Sequence, residues 1–401
     1  MKQHRIALIG GGHRGIHLMK LMTADPQRVK LVAVAEPRED RREDCRKAFN
    51  LPPDAYFRDH RDLLAHRNKF NIDAAVVATN VATHAEVACA CLEAGIPIFL
   101  EKPMAMTIEE GLRIVEIAER TGVPVQVGFN YAPFFIKTHE LAASGEIGTI
   151  LSIEWAEVIG PRHWADGYCR NPNYGVSASV GTWLLEKSCH DMDQLSWIIG
   201  APCERVASFG SRTYFIPRED VPKKCGEECP RYPNCVWRAN LSGKGMASWL
   251  RPEEREVCVF HTPSDIVDHQ NAILEFEGGA IASFNLNPLG LPERRYFMIY
   301  GVDGMIHGDT STNRIHLRRA GSDVEMVYEP GGAEGGHGGA DPSIANAFIN
   351  FLDDPRNPPK TGVREGFEAV LMACAIEIAR RENRVVELEK YRRGLPNRFT
   401  T

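Results

Sequence analysis

No stretch of these 401 residues approaches the ~20 consecutive apolar residues that cross a bilayer, so a membrane-spanning segment is not expected. Runs of like charge are missing too. Lys and Arg number 47 against 53 Asp and Glu, a net charge of −6, which makes nucleic acid and anionic membrane poor partners. Residues 1–5 lead straight into a strand pattern and leave no room for the apolar core of a secretion signal, so a cytoplasmic location is expected. There is no internal repeat and no low-complexity linker. The 11 cysteines are an odd number and, without such a signal, read mostly as reduced thiols. What the chain does have is 43% apolar and 25% charged residues, the balance of a folded globular protein. Its length exceeds one ordinary core, and two domains are expected.

The chain is organised around residues 6–18. A short apolar run, residues 6–9, reads as a strand buried on both faces. Gly10, Gly12 and Gly15 then fall at the spacing G-x-G-x-x-G, and a helical pattern follows until Asp25-Pro26. Gly10 permits a tight turn, Gly12 keeps side-chain atoms away from a pyrophosphate, and Gly15 lets helix and strand pack closely. The anion would meet the unpaired N–H groups of the helix start. A second apolar run, 29–35, ends at Glu36, where a carboxylate can accept hydrogen bonds from an adenosine ribose. Glu36 opposes a ribose 2′-phosphate, which favours NAD over NADP, although Arg38 stands close enough to receive such a phosphate. The plainer alternative is a tight structural turn.

Strand and helix patterns alternate up to about residue 128, which argues for a parallel sheet covered on both faces. Residues 72–79 and 96–100 read as buried strands, and Thr107 with Glu110 forms a capping box that opens a helix ended by Gly122. Right-handed crossovers would place Gly10, Glu36, Asn80 and Glu101-Lys102 along one carboxyl edge, where a ligand binds. Lys102 there can donate to a substrate hydroxyl and lower its pKa, or it can be a solvated loop lysine.

From residue 149 the pattern changes to strands, hairpins and long loops, with helices near 343–352 and 364–380. An open, mostly antiparallel sheet with helices on one face is expected. One helical segment, 181–197, carries Glu186, His190 and Asp193 at i, i+4 and i+7, on one face. An imidazole held by a carboxylate suits proton transfer near neutral pH, although such pairs are also common structural contacts. His269 and His337 are candidate pocket residues, and Trp164 and Trp183 can stack on a sugar or pack in the core. Cys225, Cys229 and Cys235, with Cys258 downstream and His261 as a substitute, are spaced for a possible structural zinc; unligated thiols are the alternative.

The chain resembles the Gfo/Idh/MocA family of nicotinamide-dependent oxidoreductases. The residues that carry the resemblance are the Gly10–Gly15 turn, Ala78-Thr79 with His84, and Ala94-Gly95 through Glu101-Lys102-Pro103. Gly128-Phe129-Asn130, Gly145-Glu146-Ile147-Gly148, His190-Asp191-Met192-Asp193 and Gly301-Val302-Asp303-Gly304 follow in family order. The resemblance implies a Rossmann NAD-binding domain over residues 1–128 and an α+β substrate-binding domain over 129–401, with the active site in the cleft between them. It implies NAD contacts from Gly10, Gly12, His13, Arg14, Gly15, Glu36, Arg38, Thr79, Asn80, His84, Glu101, Lys102 and Asn130. Lys102, Glu186 and His190 would be catalytic, and Lys102, Trp164, His190, Asp193, His269 and His337 would meet substrate. The family acid is usually Asp; here it is Glu186, whose carboxylate lies one methylene further out. The expected reaction is hydride transfer between NAD and a secondary alcohol of a sugar, inositol or related polyol. A glycoside-cleaving enzyme that recycles tightly held NAD, and a non-catalytic NAD-binding regulator, remain open. A homo-oligomer formed through the carboxyl-terminal sheet is expected.

Overall fold

The computed structural model describes residues 2–129, 131–331, 339–359 and 361–395. The chain forms two compact units, Met1–Pro133 with Gly331–Leu371, and Phe134–Pro330 with Met372–Thr401.

In the first unit, strands β1 (His4–Ile9), β2 (Val29–Ala35), β3 (Tyr56–Phe57), β4 (Ala74–Val77), β5 (Ile98–Leu100) and β6 (Val125–Val127) form one sheet in the order β3-β2-β1-β4-β5-β6. Every pairing in it is parallel. The strands are almost wholly buried, because helices cover both faces of such a sheet. The order reverses between β1 and β4, the place where a crevice opens outside the carboxyl ends of the strands. Local signals behave as expected. Helix Ile108–Thr121 begins with the reciprocal Thr107–Glu110 capping box and ends at Gly122 in the left-handed conformation.

The unit is completed by a much later part of the chain. Helix Ala340–Asp353 buries Ile344, Ala345, Phe348 and Ile349 in the core shared by Ile6, Leu8, Val34, Val76 and Phe99. The Phe348 and Phe99 rings meet edge to face with centroids 5.9 Å apart. Polar ties fasten the helix: Gln126 Nε2 donates to the Ile344 carbonyl at 2.8 Å, and His4 Nε2 lies 2.7 Å from Asp353 Oδ1. The first compact unit therefore differs from the expected span of residues 1–128, since it includes residues 331–371.

The second unit is built on a nine-stranded sheet in the order β14-β13-β12-β11-β7-β10-β9-β8-β15. Its strands are β7 (Ile150–Val158), β8 (Cys203–Ser211), β9 (His269–Phe276), β10 (Ile281–Asn287), β11 (Arg294–Gly301), β12 (Gly304–Asp309), β13 (Arg314–Arg319), β14 (Glu325–Tyr328) and β15 (Val386–Glu387). All pairings are antiparallel except β7 with β10. Strands β8 and β9 pair directly although residues 212–268 lie between them. That long connection is rooted by buried side chains. Asp268 Oδ2 accepts the N–H groups of Thr213 and Tyr214 at 2.9 and 2.8 Å, and Arg170 donates to the Val257 and Trp237 carbonyls at 2.7 and 2.6 Å. No helix among the described residues is long and apolar enough to cross a membrane.

Candidate functional site

The glycine turn has the form its spacing predicts, and Gly10 and Gly15 leave no room for a side chain, each for a different reason. Gly10 follows β1 with φ +101°, and a methyl group there would sit 2.4 Å from the Ala78 carbonyl oxygen, beyond the end of β4. At Gly15 the same group would come within 2.2 Å of the Gly10 oxygen, so helix His13–Met22 lies directly against the turn. Gly12 is open. A methyl group at Gly12 would meet nothing closer than the Arg41 guanidinium, at 3.5 Å. That space beside the free N–H groups of a helix start fits a dinucleotide pyrophosphate. Two residues missed in the sequence bear on it. Gly11 is needed because a Cβ would lie 2.6 Å from Cys45 Sγ, and the run of three glycines was the available signal. Arg41 brings positive charge to the open side, without any motif to announce it.

Glu36, 3% exposed at the end of β2, braces the turn. One carboxylate oxygen accepts the Gly11 N–H at 2.8 Å and the other accepts the Arg38 N–H at 2.9 Å. A carboxylate offers about four lone-pair positions, so acceptance from ribose hydroxyls remains available. Arg38 itself is turned to Asp40, with Nε 3.1 Å from Oδ1, so its charge is already partnered. Burial, aided by Glu36, pushes the nearby Cys45 thiol up to about 11. His13 is the exposed first residue of its helix.

Arg14 and His84, both expected at the cofactor, have partners within the protein. Arg14 donates from Nε to Glu101 Oε1 and from Nη1 to Asp341 Oδ2, each at 2.7 Å. Burial works against its charge, but the two carboxylates raise its pKa above the ordinary value. His84 is fully buried between the Pro103 carbonyl, 2.8 Å from Nδ1, and the Thr79 carbonyl, 3.2 Å from Nε2. Burial lowers its pKa, opposed by those carbonyl contacts. The ring thereby ties the end of β4 to the Glu101-Lys102-Pro103 segment. Asn80 caps the following turn by accepting the Ala82 N–H at 3.0 Å, and the Thr83 hydroxyl reaches Thr79 Oγ1 at 2.9 Å. Lys102 is half-buried just beyond β5, its N–H donating to Glu101 Oε2 at 3.2 Å.

In the second unit, helix Trp183–Ile199 is capped by Thr182, whose hydroxyl accepts the Leu185 N–H at 3.0 Å, and ends at left-handed Gly200. Glu186 and Asp193 are buried on it and His190 is half-buried, on the common face that the spacing predicts. The helix is fastened by the adjacent residues. Lys187 Nζ lies 3.3 Å from Glu157 Oε1, and Arg295 Nε lies 2.5 Å from Glu157 Oε2 and 2.7 Å from Asp191 Oδ1. Trp155 Nε1 also donates to Asp191, at 2.8 Å. Burial raises the pKa of Glu157, and Arg295 and Lys187 oppose the rise. Tyr168 stands near Glu186; burial first and that carboxylate second hold its phenol well above the usual range.

Other candidates fall elsewhere. Trp164 and Trp183 are each 1% exposed, their rings 4.4 Å apart in an aromatic cluster with Tyr168 and Phe215, so both are packed side chains. His269 begins β9 beside Asp268, Nδ1 to Oδ1 2.6 Å, at the root of the long connection. Asn130 and His337 lie outside the described residues. The zinc expectation finds no support: among the described residues no group of three or more His, Cys, Asp or Glu side chains is arranged to hold a metal. Cys225 Sγ instead accepts the Ala239 N–H at 3.1 Å, and burial raises the Cys258 thiol. Cys229 and Cys235 are free thiols in the same connection.

A parallel sheet in the order 3-2-1-4-5-6 with this glycine turn defines a dinucleotide-binding protein. The description "Oxidoreductase family, NAD-binding Rossmann fold" matches residues 4–129, and "GFO/IDH/MocA C-terminal domain" matches residues 135–307. The chain belongs to the Gfo/Idh/MocA family of oxidoreductases. It is 26% identical to the putative oxidoreductase YteT of Bacillus subtilis over 76% of this chain and 77% of that protein. It is 29% identical to inositol 2-dehydrogenase 2 of Saccharopolyspora erythraea over 54% of this chain, which spans 59% of that relative's length. A structure of levoglucosan dehydrogenase in complex with NADH and levoglucosan has the same fold, with a TM-score of 0.73 at 18% identity, covering 97% of this chain and 100% of that one.

Proposed function

We propose that the protein is an NAD-dependent dehydrogenase that oxidises a secondary alcohol of a sugar, inositol or related polyol. The observation that carries the reading is Lys102, presented at the carboxyl end of β5 in the sheet whose β1 leads into a glycine turn that is open at Gly12. The inositol dehydrogenase and levoglucosan dehydrogenase relatives support the substrate class. Bound NAD supplies the hydride acceptor. The protein handles the proton and the alignment. Lys102 donates to the alcohol oxygen and stabilises its developing negative charge. His190 takes the hydroxyl proton, and Glu186, one turn earlier on the same helix, stabilises the imidazolium that results. Asp193 belongs to the same face and is assigned to substrate hydroxyls. Gly12, the helix start at His13 and Glu36 are assigned to the cofactor, with Thr79 and Asn80 beside them at the end of β4.

NAD is preferred over NADP because a 2′-phosphate would bring negative charge against buried Glu36 while Arg38 is paired with Asp40. We assign the homo-oligomer contact to the large sheet, a reading supported by its register, which puts Phe209, Ile273, Ile281, Tyr296 and Val327 on one face, each at least 38% exposed. A cytoplasmic enzyme is consistent with the free cysteines.

The test is a panel of inositols, free sugars and glycosides with NAD, followed at the absorbance of NADH with product analysis. Net NADH matched by a keto product supports the proposal. Released aglycone without net NADH identifies the glycoside-cleaving alternative, and no turnover on any compound revives the regulator.

A further inference from the structure

Asp341 belongs to none of the sequence motifs, yet it closes a chain of charged hydrogen bonds that ends on Lys102. It lies in the first turn of helix Ala340–Asp353 and is 1% exposed. Its Oδ2 accepts from Arg14 Nη1 at 2.7 Å and stands 3.1 Å from His17 Nε2. Arg14 Nε donates to Glu101 Oε1 at 2.7 Å, and Glu101 Oε2 accepts the Lys102 N–H at 3.2 Å. The guanidinium is planar and rigid, so meeting two carboxylates through two of its nitrogens fixes the orientation of both. Paired with Glu101 alone, Arg14 could swing about its own side chain and take that carboxylate with it. The second carboxylate removes the freedom. A bond to a charged acceptor is also stronger than a neutral one, which suits a tether that must hold a main-chain segment.

We infer that Asp341 is a positioning residue for Lys102, acting through Arg14 and Glu101 to hold the main chain beyond β5 and to tie it to the helix that follows the glycine turn. The inference rests on the role given to Lys102 above. It explains why Arg14, in the first helical turn after Gly12, faces two carboxylates rather than the open side of the turn.

The test compares the full-length wild type with Asp341→Asn, Lys102→Ala and the double variant. Hydrogen exchange at the Lys102 amide is read first, because it requires no substrate. In Asp341→Asn that amide exchanges about tenfold faster or more, while the amides of Ile98–Leu100 in β5 do not change. On the fastest compound of the panel, Asp341→Asn lowers kcat about tenfold, with KM and NAD affinity within about threefold. In the Lys102→Ala background the same substitution changes the residual rate less than about twofold, because the two residues act as one unit. An unchanged Lys102 amide, or an equal loss of turnover with and without Lys102, overturns the inference. Should Asp341→Asn fail to fold, Arg14→Lys, which keeps the charge but meets one carboxylate at a time, must give the same pattern. Full activity in Lys102→Ala would reject the reaction role of Lys102, and amide exchange alone would then decide the tether.

Discussion

The glycine turn of the first unit and helix Trp183–Ile199 of the second present their functional groups by different physical means. At the turn, backbone atoms come so close that a side chain has no room: a Cβ at Gly15 would lie 2.2 Å from the Gly10 oxygen. A charged brace, Glu36, uses its carboxylate on two main-chain N–H groups nearby. The helix is fastened instead by long side chains from separate strands, Glu157 on β7 and Arg295 on β11, against Lys187 and Asp191. Sterics of this kind prescribe glycine at Gly10 and Gly15. A buried ion-pair group does not prescribe its residue type, because apolar residues of similar volume can often replace it. The turn is thus written into local sequence, whereas the setting of the helix depends on partners that no spacing reveals.

The largest effects are expected in turnover, equally from both regions. Lys102→Ala and His190→Ala should each reduce kcat by about 10²-fold or more, the usual scale for groups that handle a proton. NAD affinity should change less than about threefold, as both are assigned to substrate. Steady-state kinetics beside cofactor titration check this, and a loss of about tenfold or less in folded His190→Ala would remove it as the base.

Stability probes the same comparison. Phe348→Ala should destabilise the first unit by about 3–5 kcal/mol through the cavity left against Phe99. Arg295→Ala should cost the second unit a similar ~3–5 kcal/mol, because Glu157 and Asp191 lose a buried cation. Replacing Arg295, Glu157, Asp191 and Lys187 together by apolar residues, with Trp155→Phe to remove the N–H that Asp191 accepts, should recover most of that loss. Denaturant melts of each variant read the outcome, and a combined variant no more stable than Arg295→Ala would contradict the prediction that the loss comes from the unpaired carboxylates.

A smaller effect is expected at Glu36. Glu36→Gln keeps the shape but removes the charge that opposes a 2′-phosphate and strengthens two hydrogen bonds, each of the order of 1.5–3 kcal/mol. NAD affinity should fall about tenfold and the preference over NADP should narrow. Titration with both cofactors measures it, and an unchanged preference would take specificity away from Glu36.

What was legible in the sequence follows the same physical line. Gly10, Gly12 and Gly15, the capping box at Thr107 and the common face of Glu186 and His190 are local patterns, and each formed as read. Helix Ala340–Asp353 was legible as a helix but not as part of the first core, because that depends on Phe348 meeting Phe99 across a long separation in the chain. Arg14 and His84 were assigned to the cofactor by their place in motifs. Their partners, Asp341 and the Pro103 carbonyl, are set by packing. Thiol spacing suggested a zinc site at Cys225, Cys229, Cys235 and Cys258, but spacing does not report where a side chain points, and Cys225 meets the Ala239 N–H.

On the proposed reading the protein moves a hydride from a carbinol carbon to NAD while its own residues move only the proton. The most direct measurement uses the fastest panel substrate deuterated at that carbon. One deuterium is expected in the reduced nicotinamide for each turnover, with net reduced cofactor equal to keto product. Turnover that leaves the cofactor unlabelled, or that returns the deuterium to product with no net reduced cofactor, would contradict it.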